Sequence, residues 1–238
     1  MVIEVVGYKG VVGNATYQWL KAMHPELEVV GRDKGDPLPV TNKETISYIC
    51  TPEAVVTEVC RGIKYADLIV VRSTVLPGTC INIQAETGIH VCHMPEFVLE
   101  ATAVVDEFRQ DYIILGACCG EHAEVLQDIY SPYIPLIVTD RETSEVLKLV
   151  KNCYLACLIS FWNEVEEIAR IAGTSGHKVG KLATLDDRVV SYGASYHHKY
   201  GGTCLPKDIK QLREYAKQKR IKSSLLDAIV EVNECQKS

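Results

Sequence analysis

The chain has 238 residues, 47% of them hydrophobic and 24% charged, and a net charge of -6. That length allows one large domain or two small ones, each with its own core, and the acidic balance excludes a basic surface for nucleic acid or anionic membrane. No apolar run reaches the roughly 18 residues of a membrane span, and Met-Val-Ile-Glu-Val-Val-Gly at the start reads as a first strand, not as a signal peptide. The ten cysteines are scattered without a Cys-x-x-Cys pair, so neither a zinc site nor a redox motif is expected. Cys50, Cys92, Cys153 and Cys157 lie in apolar stretches and read as small core residues. The implied compartment is reducing, hence cytoplasmic.

In chain order, residues 2–6 form an apolar strand that runs into Gly7-Tyr8-Lys9-Gly10-Val11-Val12-Gly13. A helix pattern follows up to Pro25, then a strand at 27–31 that ends at Arg32-Asp33. Strand, glycine turn, helix, strand and acid is the order of a dinucleotide-binding unit. Gly7, Gly10 and Gly13 allow a pyrophosphate close to the helix start, and Asp33 takes the ribose hydroxyls. That acid favours NAD over NADP, although Arg32 and Lys34 beside it are cations.

Strands at 46–50 and 68–72 end in the hydroxyl-bearing elbows Thr51-Pro52 and Ser73-Thr74. Such residues sit where ligands bind in open α/β sheets, or else cap the next helix. His90 to His93 and Met94 to Glu100 follow. Glu96 and Glu100, four apart, are consistent with an exposed helical turn, and His93 reads as structural. Strands at 112–116 and 134–138 flank a helix near 121–130.

From Thr143 to Ala172 the alternation gives way to one long helix ended by Gly173. Its middle is apolar nearly all round, with Phe161 and Trp162 at the centre, so a second subunit is expected to cover part of it. Lys148 and Asn152 interrupt it at i and i+4 and therefore share a face. A helix at 176–186 leads to Asp187-Arg188 and a polar loop from Tyr192 to Tyr200. Then comes Gly201-Gly202-Thr203-Cys204-Leu205-Pro206-Lys207-Asp208. Two glycines before a cysteine, with Lys207 near it, fit a thiolate nucleophile. Asp208 reads as the opening of a helix, and a last amphipathic helix covers 225–234. The predicted fold is a doubly wound parallel α/β sheet (Rossmann-like, residues 1–140) followed by a smaller all-helical dimerisation domain (141–238).

Through Ser73 to Thr79, Pro95 to Glu100, Lys148 to Asn152, Phe161 to Glu164 and Gly201 to Asp208, in that order, the chain resembles the UDP-glucose/GDP-mannose dehydrogenase family. The resemblance implies a cytoplasmic homodimer that oxidises a nucleotide-sugar primary alcohol twice, to the acid, with two NAD+ and no metal. Cys204 would carry a thiohemiacetal and then a thioester. Lys148 and Asn152 would stabilise oxyanions, and Asp208, Glu96 and Thr74 would handle protons or order water. Thr51, Thr74, Glu100 and Lys207 would touch NAD; Phe97, Val98, Lys148, Asn152 and Gly201 would touch the sugar; and Arg188 would reach the neighbouring subunit's substrate site. Three departures stand out. The glycine turn has one extra residue, the 12 residues from Asp33 to Ile46 are too few for the usual additional helix and strand, and the chain stops in the helix that links to a third, nucleotide-closing domain. The expectation is therefore a short form, with a second chain as one source of the missing domain. The rival readings are a non-catalytic NAD-binding dimer module that partners a full-length relative, and a scaffold with Cys204 as a redox-sensing thiol.

Overall fold

The computed structural model describes residues 1–37, 42–195 and 198–236. Two compact units divide it, Met1–Lys148 and Leu149–Ser238. Among the described residues no helix is long and apolar enough to cross a membrane.

The first unit is built on a seven-stranded sheet. Its strands are β1 (Val2–Val6), β2 (Glu28–Arg32), β3 (Thr45–Ile49), β4 (Leu68–Val71), β5 (His90–His93), β6 (Ile113–Ala117) and β7 (Leu136–Asp140), in the spatial order β2-β1-β3-β4-β5-β6-β7. Helices α1 (Val11–Met23), α2 (Glu53–Gly62), α3 (Thr79–Thr87), α4 (Ala103–Phe108) and α5 (Gly120–Tyr130) connect them. Alternate strand residues face opposite layers, as a period of two requires. Ile3, Val5, Tyr48 and Val70 pack with Trp19 of α1 and Leu126 of α5, whereas Val6, Ile49, Ile69 and Val71 pack with Val56 of α2 and Ile83 of α3. Sheet strands buried on both faces read as continuous apolar runs, which is why β1, β3 and β4 were legible. Trp19 stacks on Tyr130 with ring centroids 4.7 Å apart.

The Rossmann-like, doubly wound fold is as expected, with one difference in direction. β5 and β6 pair antiparallel through His93 and Gly116, so β6 and β7 run opposite to the five strands before them. The chain between β5 and β6 therefore stays at the carboxyl end of the parallel strands and packs α4 against α1. That segment carries Glu96, Phe97, Val98 and Glu100, so topology alone holds these residues at the edge where open α/β sheets bind ligands. The expected exposed helical turn at 94–100 is absent: the segment is irregular, and Glu96 is buried. β5 had no strand signal, being short and bounded by histidines. β3 follows β2 with no helix or strand among the described residues between them.

The long helix α6 (Arg141–Ile171) spans the division after Lys148. The second unit continues with α7 (Gly176–Ala183), α8 (Cys204–Gln218) and α9 (Ser224–Cys235). Its core joins Cys153, Ala156 and Ile159 of α6 to Ile209 and Ile229. Ser160 also donates to the carbonyl of Ile229 at 3.0 Å, and Asn233 accepts from the Tyr200 N–H at 2.8 Å. Phe161 and Trp162, alike in the sequence, separate here: Trp162 is buried within the chain and Phe161 is 53% exposed. α8 starts four residues before the expected Asp208. Pro206 falls in the first turn of α8, where proline is tolerated because its missing N–H has no partner to lose.

Candidate active site

In the first unit, a cleft of about 540 Å³ opens at the carboxyl ends of β1, β2 and β3, lined by Gly7, Gly10, Arg32, Asp33, Thr51 and Pro52 among others. Gly7 sits at φ +85, and a Cβ there would meet the Cys50 carbonyl at 2.8 Å. A Cβ on Gly13 would lie 2.1 Å from the Gly7 oxygen, so the turn closes on α1 only as glycine. The first turn of α1 has backbone N–H groups without intrahelical partners, as any helix start does. Asp33 Oδ2 accepts the Lys9 N–H at 3.1 Å, which ties the acid to the glycine turn. Thr51 Oγ1 is buried and has no hydrogen-bond partner. A glycine cradle, an acid at the end of β2 and an orphaned hydroxyl in one cleft fit a dinucleotide. Arg32 also lines the cleft, but its guanidinium is engaged by buried Glu4 at 2.5 Å and by the Tyr65 hydroxyl at 3.1 Å. Glu100 lines a shallow depression with Lys9, Gly10 and Asn14.

Near the start of α6, Lys148 Nζ donates to the Glu96 carbonyl at 2.6 Å and to Glu96 Oε1 at 2.9 Å, and lies 5.3 Å from the centre of the Phe97 ring. Glu96 Oε2 accepts the Val98 N–H at 2.9 Å. Glu96, Phe97, Val98 and Lys148 thus form one group, and Thr74 is buried in the elbow after β4. His93 bonds Ser144 Oγ through Nδ1 at 2.8 Å and is fully buried. Burial, aided by the charge of Lys148, pushes its pKa down to about 3.

Several residues that fix this region had no sequence signal. Glu145 accepts from the Gly78 N–H at 2.6 Å and the Cys80 N–H at 2.8 Å, fastening the first turns of α6 to the elbow after β4. Arg72 and Glu107 form a buried two-pronged pair at 2.7 and 3.1 Å directly before Ser73-Thr74. An arginine closing the apolar strand Leu68 to Val71 was the available clue.

In the second unit, Asn152 Nδ2 donates to Asp208 Oδ2 at 2.5 Å, and Asp208 is fully buried. Lys207 Nζ lies 2.7 Å from Asp208 Oδ1, without the alignment of a hydrogen bond. Cys204 is exposed in the first turn of α8. Asp208, four residues on, shares its helix face. Gly202 takes φ +73 directly before that turn, and a Cβ on Gly201 would meet no atom within 4 Å. Cys153, beside Asp208, is buried and its thiol is pushed up to about 12, by burial first and the aspartate charge second. Arg188 is exposed and forked onto Asp186 at 2.6 Å. In the loop from Tyr192 to Tyr200, Tyr196 and His197 lie outside the described residues.

Residues 35–134 match the model of the UDP-glucose/GDP-mannose dehydrogenase family NAD binding domain, and 142–235 that of the same family's central domain. The glycine turn and Asp33 precede the matched stretch, so their reading rests on the geometry above. A UDP-glucose 6-dehydrogenase of Rickettsia felis is 31% identical over 208 residues, covering 84% of this chain and 46% of that protein. A GDP-mannose 6-dehydrogenase of Pseudomonas putida is also 31% identical, over 76% of this chain and 46% of its own length. The chain spans about half the length of these curated relatives. Among solved structures, a UDP-glucose dehydrogenase from Pyrobaculum islandicum superposes with a TM-score of 0.81 at 25% identity, covering 98% of this chain and 68% of that one.

Proposed function

The chain belongs to the UDP-glucose/GDP-mannose dehydrogenase family, and from that premise we propose that it oxidises the primary alcohol of a nucleotide sugar to the acid through a thioester on Cys204. Gly7, Gly10, Gly13 and Thr51 would hold the dinucleotide, with Thr74, Glu100 and Lys207 adding contacts. Asp33 takes the ribose hydroxyls; its carboxylate would repel a 2′-phosphate, and Arg32, the neighbouring cation, is held by Glu4. Bound there, NAD+ would supply the oxidant for both stages, as the hydride acceptor.

The protein's own groups do the rest. The Cys204 thiolate adds to the aldehyde carbon of the first product, forming a C–S bond while the carbonyl electron pair moves onto oxygen. Lys148 and Asn152 donate to that oxygen. Two of the three ammonium donors of Lys148 are engaged by Glu96, which leaves the third for the oxyanion. Loss of the second hydride and the hydroxyl proton converts the thiohemiacetal to a thioester. Water placed by Asp208, Glu96 and Thr74 then adds, and the acid leaves as the thiol returns. Phe97, Val98 and Gly201 line the sugar.

The observation that carries this reading is an exposed thiol and a buried carboxylate on one helix face. A helix start with a purely structural role has no reason to bury Asp208 and bond it to Asn152. A non-catalytic module likewise has no need for that arrangement. Val150, Tyr154, Phe161 and Ile168 form an exposed apolar stripe along α6, which supports a homodimer with Arg188 serving the neighbouring site. The free thiols fit a reducing cytoplasm.

The test is incubation of purified protein with NAD+ and a panel of UDP- and GDP-linked sugars, following NADH and acid. Two NADH per acid is expected for one sugar. No turnover across the panel, or one NADH with free aldehyde as product, overturns the reading.

A further inference from the structure

We propose that His90, Cys118, Cys119 and His122 form a zinc-binding site, at the edge of the sheet opposite the glycine turn. His90 begins β5, Cys118 and Cys119 follow the end of β6, and His122 lies in the first turn of α5. The reversal of β6 makes this meeting: β5 and β6 are antiparallel, so the end of one lies beside the start of the other. The carboxyl ends of the parallel strands, with the dinucleotide cleft, are at the other edge.

One ligand atom from each of the four residues lies within 4.8 Å of every other. Zinc at about 2.3 Å from sulfur and about 2.0 Å from nitrogen, tetrahedrally bound, needs its ligand atoms roughly 3.3–3.8 Å apart. Cys118 Sγ is 3.6 Å from His90 Nδ1 and 3.9 Å from Cys119 Sγ. Cys119 Sγ is 3.0 Å from His122 Nδ1, a separation that would widen slightly around the ion. The His90 and His122 rings lie 4.4 Å apart, centre to centre. Two thiols and two imidazoles are the donor set of structural zinc sites; hard cations such as magnesium prefer oxygen. Binding would release the two thiol protons to solvent and leave a site of zero net charge.

A supporting layer is present as well. Cys92, buried in β5, accepts the Cys118 N–H at 3.4 Å and lies 3.6 Å from its sulfur, which holds Cys118 in place from behind. The sequence pattern hid the site because the cysteines are adjacent instead of two apart, and the fourth ligand is 28 residues upstream. With four protein ligands and no open position, the ion would be structural, stapling β5 to the start of α5.

The test uses tag-free protein with Cys204→Ser and Cys235→Ser, so that the two exposed thiols do not contribute. After equilibration with zinc and gel filtration, elemental analysis should find about one zinc per chain. Cobalt(II) should give the intense visible absorption of a tetrahedral thiolate site, and a chelator should lower Tm by several degrees. Cys119→Ser and His90→Asn should each abolish retention; His90 is exposed, so its variant should keep the native circular dichroism even if the cysteine variant misfolds. Retention of less than about a tenth of an equivalent, undiminished retention in folded His90→Asn, or a Cys118–Cys119 disulfide with no metal uptake would each overturn the proposal.

Discussion

Lys148 grips Glu96 twice, through the main-chain carbonyl at 2.6 Å and the side-chain carboxylate at 2.9 Å, with both residues buried. Removing either partner leaves a buried charge without its counter-ion, which costs about 3–5 kcal/mol. Lys148→Ala and Glu96→Ala should each lower stability by that order in denaturant unfolding, and the double variant should lose less than the sum. An additive result would mean the pair is not coupled. Lys148→Ala should also lower kcat, because the remaining ammonium donor is the one assigned to the oxyanion.

Cys204→Ser provides the chemical test of the thioester. A serine hydroxyl stays un-ionised at neutral pH and is a poorer nucleophile than a thiolate, so the second oxidation should slow by at least about 10²-fold while the first persists. Quenched-flow product analysis should show aldehyde or a sugar ester on the protein. Full two-stage turnover by the serine variant would remove Cys204 from the mechanism.

His93 makes stability fall on the acid side. Its folded pKa of about 3 lies below the ordinary 6.5, so between those values the unfolded chain binds a proton that the folded one does not. Stability therefore falls as pH drops below about 6.5, by roughly 1.4 kcal/mol per pH unit from this group alone, until the folded state also titrates. His93→Gln should flatten that slope between pH 6 and 4, whatever it does to absolute stability. Guanidinium unfolding across that range measures it; an unchanged slope would assign acid sensitivity to other groups.

Phe161→Glu tests the apolar stripe. The side chain is 53% exposed in the single chain, so a charge there should leave the protomer folded and disrupt only an assembly that covers it. Sedimentation should show a dimer at micromolar concentration for the parent and a monomer for the variant. Trp162→Glu, by contrast, should unfold the second unit, because Trp162 is buried within the chain. A monomeric parent would end both the dimer and the role of Arg188 in a neighbouring site.

The sheet was readable because β1, β3 and β4 are apolar runs bounded by turns, and α6 because its pattern is long. Cys204, Lys148 and Asn152 stood out as polar or reactive residues in unusual company. What escaped depended on distance in the chain. Neither Glu145 nor Glu107 can be told from a solvated helix glutamate until Gly78, Cys80 and Arg72 are brought beside them. The start of α8 escaped for a local reason, since the helical pattern of apolar residues becomes visible only after Asp208, while Pro206 sits in the first turn. Direction of β6 has no local signal at all; it is decided by where residues 94–112 run.

The Tyr8 ring occupies the space above Gly31, where a Cβ would come within 2.4 Å of it. Tyr8 belongs to the lengthened glycine turn and Gly31 to the neighbouring strand, so neither position is free to vary without the other. Gly31→Ala alone should push the ring out and widen or block the cleft, while Tyr8→Ala with Gly31→Ala should be tolerated. The turn and the bare strand position are thus sterically coupled, and a designer who removes the Tyr8 ring gains room for a side chain at position 31 with which to reshape the cleft.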